Sequence, residues 1–177
     1  EGKRLRGWGR RGSAPGEFNQ PGGLLFDREG HLYVADQCNH RIQKFTPQGK
    51  FLASWGRHGG AAGEFDGVLP PGSRFGGPHF LALSAHDRLY TTEGTRARIQ
   101  GLTLSGEPRV TWGDKGDTPG SFGGLATRFS PGTFGPIGIA VDSRGRVWVS
   151  SLNDRVQAFT AGGRFLLSLG GSGTEPG

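Results

Sequence analysis

An internal repeat constrains this chain more than any other feature. Trp8, Trp55, Trp112 and Leu169 each precede a glycine, at spacings of 47, 57 and 57 residues. A proline-glycine pair with a nearby phenylalanine follows each of the first three: Pro15-Gly16 with Phe18, Pro71-Gly72 with Phe75, Pro131-Gly132 with Phe134. Pro21, Pro78 and Pro136 then open the apolar runs GGLLFD, HFLALS and IGIAVD, which lead through tight turns into HLYVAD, RLYTTE and RVWVSS. RIQKF, RIQGL and RVQAF follow, then a second turn and KFLASWG, PRVTWG and RFLLSLG.

Each unit reads as four short strands, a to d, rich in Val, Ile, Leu, Phe and Tyr. Asp27 and Asp142 can open type I turns, and Gly30 and Gly145 suit the left-handed position that follows. Strand c does not alternate cleanly, since Ile42 and Phe45 are three apart. A sheet covered on both faces needs no strict alternation. Four-stranded units repeated every ~40–50 residues predict propeller blades. The expected fold is all-β: a partial β-propeller of three four-stranded blades plus one extra outer strand. The expected layout is an outer strand of a preceding blade over 1–9, blades over 10–56, 57–113 and 114–170, and the start of a next linker over 171–177. The orphan strand EGKRLRGWG matches QGKFLASWG and must pair with something outside the three units. A longer parent chain is the expected source, ahead of a second copy. The expected core holds Leu25, Leu32, Val34, Ile42, Phe45, Leu81, Leu83, Leu89, Ile99, Ile139, Val141, Val147, Val149, Val156 and Phe159.

Composition narrows the function classes. Glycine supplies 35 residues and proline 11 of 177, a level found in low-complexity chains or in many short strands joined by turns. The 10% aromatic content and the repeat select the second. The single cysteine, Cys38, excludes an internal disulfide and a cysteine metal cluster. No run approaches the ~18 apolar residues of a membrane helix, so membrane insertion is not expected. Net charge is +6, but Lys3, Arg4, Arg6, Arg10 and Arg11 against Glu1 put +4 of it in the first twelve residues. The basic balance therefore describes one end of the chain more than a nucleic-acid surface.

The segment YVADQCNHRIQKFTPQGKFLASWG, Tyr33 to Gly56, resembles an NHL repeat, with Asn39-His40-Arg41 at the motif core. GEFNQP, Gly16 to Pro21, and PIGIAVDSRGRVWVSS, Pro136 to Ser151, fit the same pattern. The second unit departs, with Arg96-Ala97-Arg98 and Thr92-Glu93, and the third carries Asn153-Asp154-Arg155. The resemblance implies a six-bladed propeller that serves as an interaction platform, with the three blades here as half of the ring. Some members of that family bind RNA, and related six-bladed proteins include metal-dependent enzymes.

Function is expected on the face shared by the d-to-a and b-to-c loops. Phe18 to Pro21 is three residues, whereas Phe65 to Pro78 is thirteen and Phe122 to Pro136 is fourteen. The longer linkers add the apolar residues Val68, Leu69 and Leu125, with Arg74 and Arg128, and each holds a second Gly-x-Phe element. These five residues, with Arg10, Arg11, Arg57, His58 and Lys115, form the expected partner-binding set. Arg41, Arg98 and Arg155 recur beside the acids Asp36, Glu93 and Asp154, a pattern expected of pairs that pin loops. The repeated tryptophans are expected to pack rather than stack bases. An enzyme is the weakest class. Ser84, His79 and His86 lack a nucleophile elbow, and the strand starts Gly22, His79 and Ile137 offer a metal at most one histidine. The leading expectation is a non-catalytic scaffold for a protein or peptide, with no cofactor. RNA binding through a basic face is the alternative, and a metal-dependent lyase or hydrolase with ligands partly outside the chain comes third.

Overall fold

Residues 7–66, 77–123 and 135–171 are described by the computed structural model. They form three four-stranded antiparallel sheets. The first runs β1 (Pro21–Phe26), β2 (Leu32–Asp36), β3 (Arg41–Phe45) and β4 (Phe51–Trp55). The second holds β5 (Leu81–Leu83), β6 (Arg88–Glu93), β7 (Arg98–Thr103) and β8 (Pro108–Trp112). The third holds β9 (Pro136–Val141), β10 (Val147–Ser151), β11 (Arg155–Phe159) and β12 (Phe165–Leu169). The only helical element among the described residues is a 3-10 turn at Gln37–Asn39. None of the helices there is long and apolar enough to cross a membrane. The strand expected over 1–9 falls mostly outside the described residues, and residues 7–9 carry no ladder.

Burial does not alternate along the inner strands of the first two sheets, because both faces of these sheets are covered. Tyr33, Ala35 and Ile42 of the first sheet meet Leu81, Leu89 and Leu102 of the second in one core cluster. Tyr90 and Ile99 of the second meet Val147, Val149 and Phe159 of the third in another. The hydrophobic cores therefore lie between blades, not within them. Ile42 and Phe45, three apart, are both buried because they point to opposite, covered faces. Leu25, Leu32, Leu83, Ile139 and Val141, expected in the core, are half-buried. Val156 corrects the core expectation outright. It occupies the place of Ile42 and Ile99 but is 40% exposed, because it points to the side of the third sheet that no described residue covers. Leu169, in the place of Trp55 and Trp112, is 56% exposed for the same reason.

The tryptophans lock blade to blade. Trp112 packs on Phe159 of the next sheet, with ring centroids 5.8 Å apart, and Trp8 lies 4.7 Å from Phe45 in the same way. Each sits against a glycine in the next c-to-d turn. Gly163 has φ +87°, and a Cβ there would lie 2.6 Å from Trp112, so the position excludes side chains twice over.

The d-to-a connections align differently from the sequence pattern at one element. Gly63-Glu64-Phe65 and Gly120-Ser121-Phe122 take the structural place of Gly16-Glu17-Phe18. Phe18 bridges Arg11 and Phe65 bridges His58, with Phe65 and Phe122 buried in the two clusters. The second Gly-x-Phe copies are thus the true equivalents, and the residues after them are insertions. The first insertion leaves and returns at one point, since the Gly77 amide donates to the Asp66 carbonyl at 3.0 Å.

Candidate interaction face

The loop face is fastened by one device used three times. Gln43, Gln100 and Gln157 stand on the c strands with no exposed surface. Gln100 accepts from the Gly63 amide at 2.8 Å and donates to the Glu64 carbonyl at 2.8 Å. Gln43 does the same with Gly16 and Glu17, and Gln157 with Gly120 and Ser121. A glutamine suits the task because its amide carries a donor and an acceptor side by side. A primary amide buried this way stitches the d-to-a loop to the sheet and satisfies groups that would otherwise be orphaned. Sequence reasoning missed these residues, although the RIQ, RIQ and RVQ triplets carry the signal.

Beneath the glutamines sit two carboxylate hubs. Asp36, fully buried, accepts from Arg41 Nε at 2.8 Å, Asn39 Nδ2 at 2.9 Å, Gln43 Nε2 at 3.0 Å and the Asn19 amide at 2.7 Å. Glu93 accepts from Arg98 Nε at 2.6 Å, Gln100 Nε2 at 2.7 Å and the Asp66 amide at 3.1 Å. Burial pushes the Glu93 carboxyl above its usual range, with Arg98 and Gln100 pulling the other way. The arginines reach on to the d-to-a loops: Arg41 donates to the Ser13, Ala14 and Glu17 carbonyls, Arg98 to those of Gly60, Ala61 and Glu64. The third unit differs. Ser151 stands in the place of Asp36 and Glu93 and pairs with Asn153, while Arg155 holds the Asp117 carbonyl. Asp154 takes the left-handed position shared with His40 and Ala97, so it is not the counterpart of the two buried acids.

The outer rim is charged, and several of its cations are paired with acids. Arg10 pairs with Glu17 and Arg57 with Glu64, both at 2.7 Å. The Ala14 amide and Arg10 hold the Glu17 carboxyl below its ordinary range, and the Ala61 amide and Arg57 do so for Glu64. Asp66 joins Arg96 at 2.8 Å and His58 at 3.6 Å, and the His58 ring lies 4.8 Å from that of His40. Burial first, and then His58, push the His40 imidazole down. Lys115 shares an open polar hollow with Asp66, Thr95, Arg96, Arg98, Gly113 and Asp114. Val68, Leu69, Arg74, Leu125 and Arg128 lie outside the described residues. Cys38 donates to Gln20 at 3.3 Å, and burial raises its thiol.

At the inner strand starts lies an apolar cavity of about 290 Å³, bounded by His79, Phe80, Pro136, Ile137, Leu152 and two glycines. Phe80 is 37% and Leu152 51% exposed at its mouth. Burial lowers the His79 imidazole. Phe80 and Leu152 were not anticipated as part of a site, because nothing in the linear pattern marks the b-to-c loop of one blade as a neighbour of strand a in another.

Residues 18–45, which span the Asp36 hub and Gln43 of the first blade, match the NHL repeat model. The chain carries an NHL repeat. A 45-residue stretch is 47% identical to the human E3 ubiquitin-protein ligase TRIM32, covering 25% of this chain and 7% of that protein. Solved structures share the fold at lower identity. Staphylococcus aureus virginiamycin B lyase, solved with quinupristin, matches with a TM-score of 0.57 at 21% identity, over 87% of this chain and 42% of that one. A gluconolactonase from Xanthomonas campestris gives 0.57 at 19% identity, over 93% and 51%. A chain of a nidogen/laminin complex gives 0.53 at 19% identity, over 85% and 50%. This chain therefore spans about half or less of the structures it matches, and the NHL repeat is one part of a propeller architecture that carries both enzymes and binding proteins.

Proposed function

We propose that this chain is a non-catalytic propeller segment that holds a protein or peptide partner on its loop face. The observation that carries the reading is how that face divides its residues. Asp36 and Glu93 are fully buried and committed to fastening loops. What faces outward at the inner strand starts is apolar: Phe80 and Leu152 frame a cavity of about 290 Å³, room for one aromatic or aliphatic side chain. An apolar anchor in a desolvated pocket inside a polar rim is how protein interfaces are built. Arg10, Arg11, Arg57, His58 and Lys115 supply the rim, and Val68, Leu69, Arg74, Leu125 and Arg128 are assigned to it by sequence alone. Further blades, from a longer chain or a second copy, complete the ring and the face. The likenesses to a chain of a nidogen/laminin complex, to a lyase and to a lactonase all extend to the fold alone. The pairing of Arg10 and Arg57 with glutamates weighs for a protein partner over RNA.

The test is selection of displayed peptides on the immobilised chain, with Phe80→Asp and Leu152→Asp beside it. Enriched peptides should share one aromatic or aliphatic anchor and be lost in both variants. Absence of enrichment, with single-stranded RNA bound on a steep salt slope, would replace this reading with the nucleic-acid one.

A further inference from the structure

The a-to-b turns lie at the opposite end of the strands from the candidate face. Two of the three open on an aspartate. Asp27 accepts from the His31 amide at 2.7 Å, His31 Nδ1 at 2.9 Å and the Tyr33 hydroxyl at 3.2 Å. Asp142 accepts from the Arg146 amide at 2.9 Å, Arg146 Nε at 2.6 Å and Trp148 Nε1 at 3.0 Å. One carboxylate thus serves the side chain four residues on and the ring six residues on.

The middle turn opens on Ser84. Its hydroxyl replaces only the backbone share of the job, accepting from the His86 amide at 3.3 Å and the Arg88 amide at 3.1 Å. The two side-chain donors, the Arg88 guanidinium and the Tyr90 hydroxyl, have lost their carboxylate. Both turn to one carbonyl of the next blade, Ala161, at 3.4 Å and 3.0 Å. Among the described residues Arg88 has no ion pair, and neither does its neighbour Asp87. Arg88 lies in a groove of about 440 Å³ between the second and third blades, whose walls include His86, Arg144, Arg146 and Leu166. Arg146 is neutralised by Asp142, but the exposed Arg144 guanidinium has no partner among the described residues. The groove therefore holds two uncompensated guanidinium groups beside the partly exposed Leu166.

We propose that this groove binds an acidic peptide segment of a partner protein. One aspartate or glutamate carboxylate enters beside Ser84, toward the place the Asp27 and Asp142 carboxylates take in the other turns, and accepts its hydrogen bonds from the Arg88 guanidinium, while the buried Tyr90 hydroxyl keeps the Ala161 carbonyl. Arg144 adds attraction at longer range, and an apolar neighbour in the peptide lies on Leu166. A carboxylate is favoured because the same turn already holds one twice, each time against the side chain four residues on. The planar guanidinium fork matches carboxylate geometry.

The experiment is a titration of the 177-residue chain, followed by nuclear magnetic resonance at Arg88 Nε and the Tyr90 amide. The probes are the capped peptide Gly-Leu-Asp-Leu-Gly, its asparagine counterpart, and inorganic phosphate. The aspartate peptide should shift both signals saturably, and the asparagine peptide should bind about tenfold or more weakly, the loss expected for a charge-assisted hydrogen bond. Ser84→Asp, which restores the turn of the other blades, should weaken the aspartate peptide by a similar factor with the spectrum otherwise intact. Arg88→Gln should do the same. No saturable shift, equal binding of the asparagine peptide, or unchanged affinity in Ser84→Asp would each overturn the proposal. Binding of phosphate with the aspartate peptide silent would overturn it in favour of a phosphate ligand.

Discussion

Replacing Gln100 with leucine tests whether the glutamine staple holds the loop face. The side chain is fully buried and makes three hydrogen bonds, to the Gly63 amide, the Glu64 carbonyl and the Glu93 carboxylate. Leucine is of similar size, so cavity formation is a small part of the effect. The cost lies in the partners left behind. Each buried polar group stranded without a partner costs about 1–3 kcal/mol. Glu93 keeps Arg98 and the Asp66 amide, so its loss sits at the low end. The Gly63 and Glu64 backbone groups are only partly buried and recover some water. About 3 kcal/mol for the whole substitution follows, a factor of ~150 in the folding equilibrium. Urea denaturation reads the total, and amide hydrogen exchange at Gly63 reads the local part. Exchange there should accelerate far more than at Val149, in the neighbouring blade. A loss below about 1 kcal/mol with Gly63 protection unchanged would refute the argument, because the loop would then be held by something other than the glutamine.

Three further outcomes follow from the same packing. Gly163→Val should destabilise by about 2 kcal/mol or more, because it places a side chain against Trp112 at a left-handed backbone position; the urea midpoint checks it. Phe159→Ala should cost about 3–5 kcal/mol, since the ring sits in the cluster between the second and third blades; thermal unfolding monitored by near-ultraviolet dichroism checks it. Burial works against the Asp27 carboxylate, but the His31 amide and side chain, Lys44 and Tyr33 together hold it below the ordinary aspartate range. A carboxyl lowered on folding adds stability that is complete above its unfolded value and lost as pH falls through its folded one. The parent should therefore lose stability on acidification below about pH 4, and Asp27→Asn should lose less; urea melts from pH 6 to 2.5 compare them.

The blade fold was legible because a repeat is read by comparing the chain with itself. Four strands, their turns and the glycines between them recur in register, and the sheets follow those runs. The faces were harder. Val34 and Phe45 point one way and Ile42 the other, yet all are buried, and only the stacking of blades decides that. Val156 looked identical to Ile42 and Ile99 in the strand pattern, but its exposure depends on what lies beside the third sheet. Asp154 was matched to Asp36 and Glu93 by residue type and nearness to arginine. The ladder, which pairs Ser151 with Arg155, shows the true alignment. Gln43, Gln100 and Gln157 were visible but unread, because a polar residue in a strand suggests a solvent face until its partners are known. Phe80 and Leu152 meet only across blades, and no local pattern carries that.

The hydrogen bond from Gly77 to Asp66 has a consequence for how such a chain changes over time. The backbone passes through the same point before and after residues 67–76, so the blades on either side do not register what lies between. Lengthening a segment whose ends are already joined adds only about 0.6 kcal/mol per doubling. The place is a docking port in the chain itself, where one stretch of sequence can be exchanged for another while the stacking of the first two blades stays fixed. Grafting a foreign binding loop between Asp66 and Gly77 is the corresponding laboratory operation, and natural variation in this repeat has room to do the same.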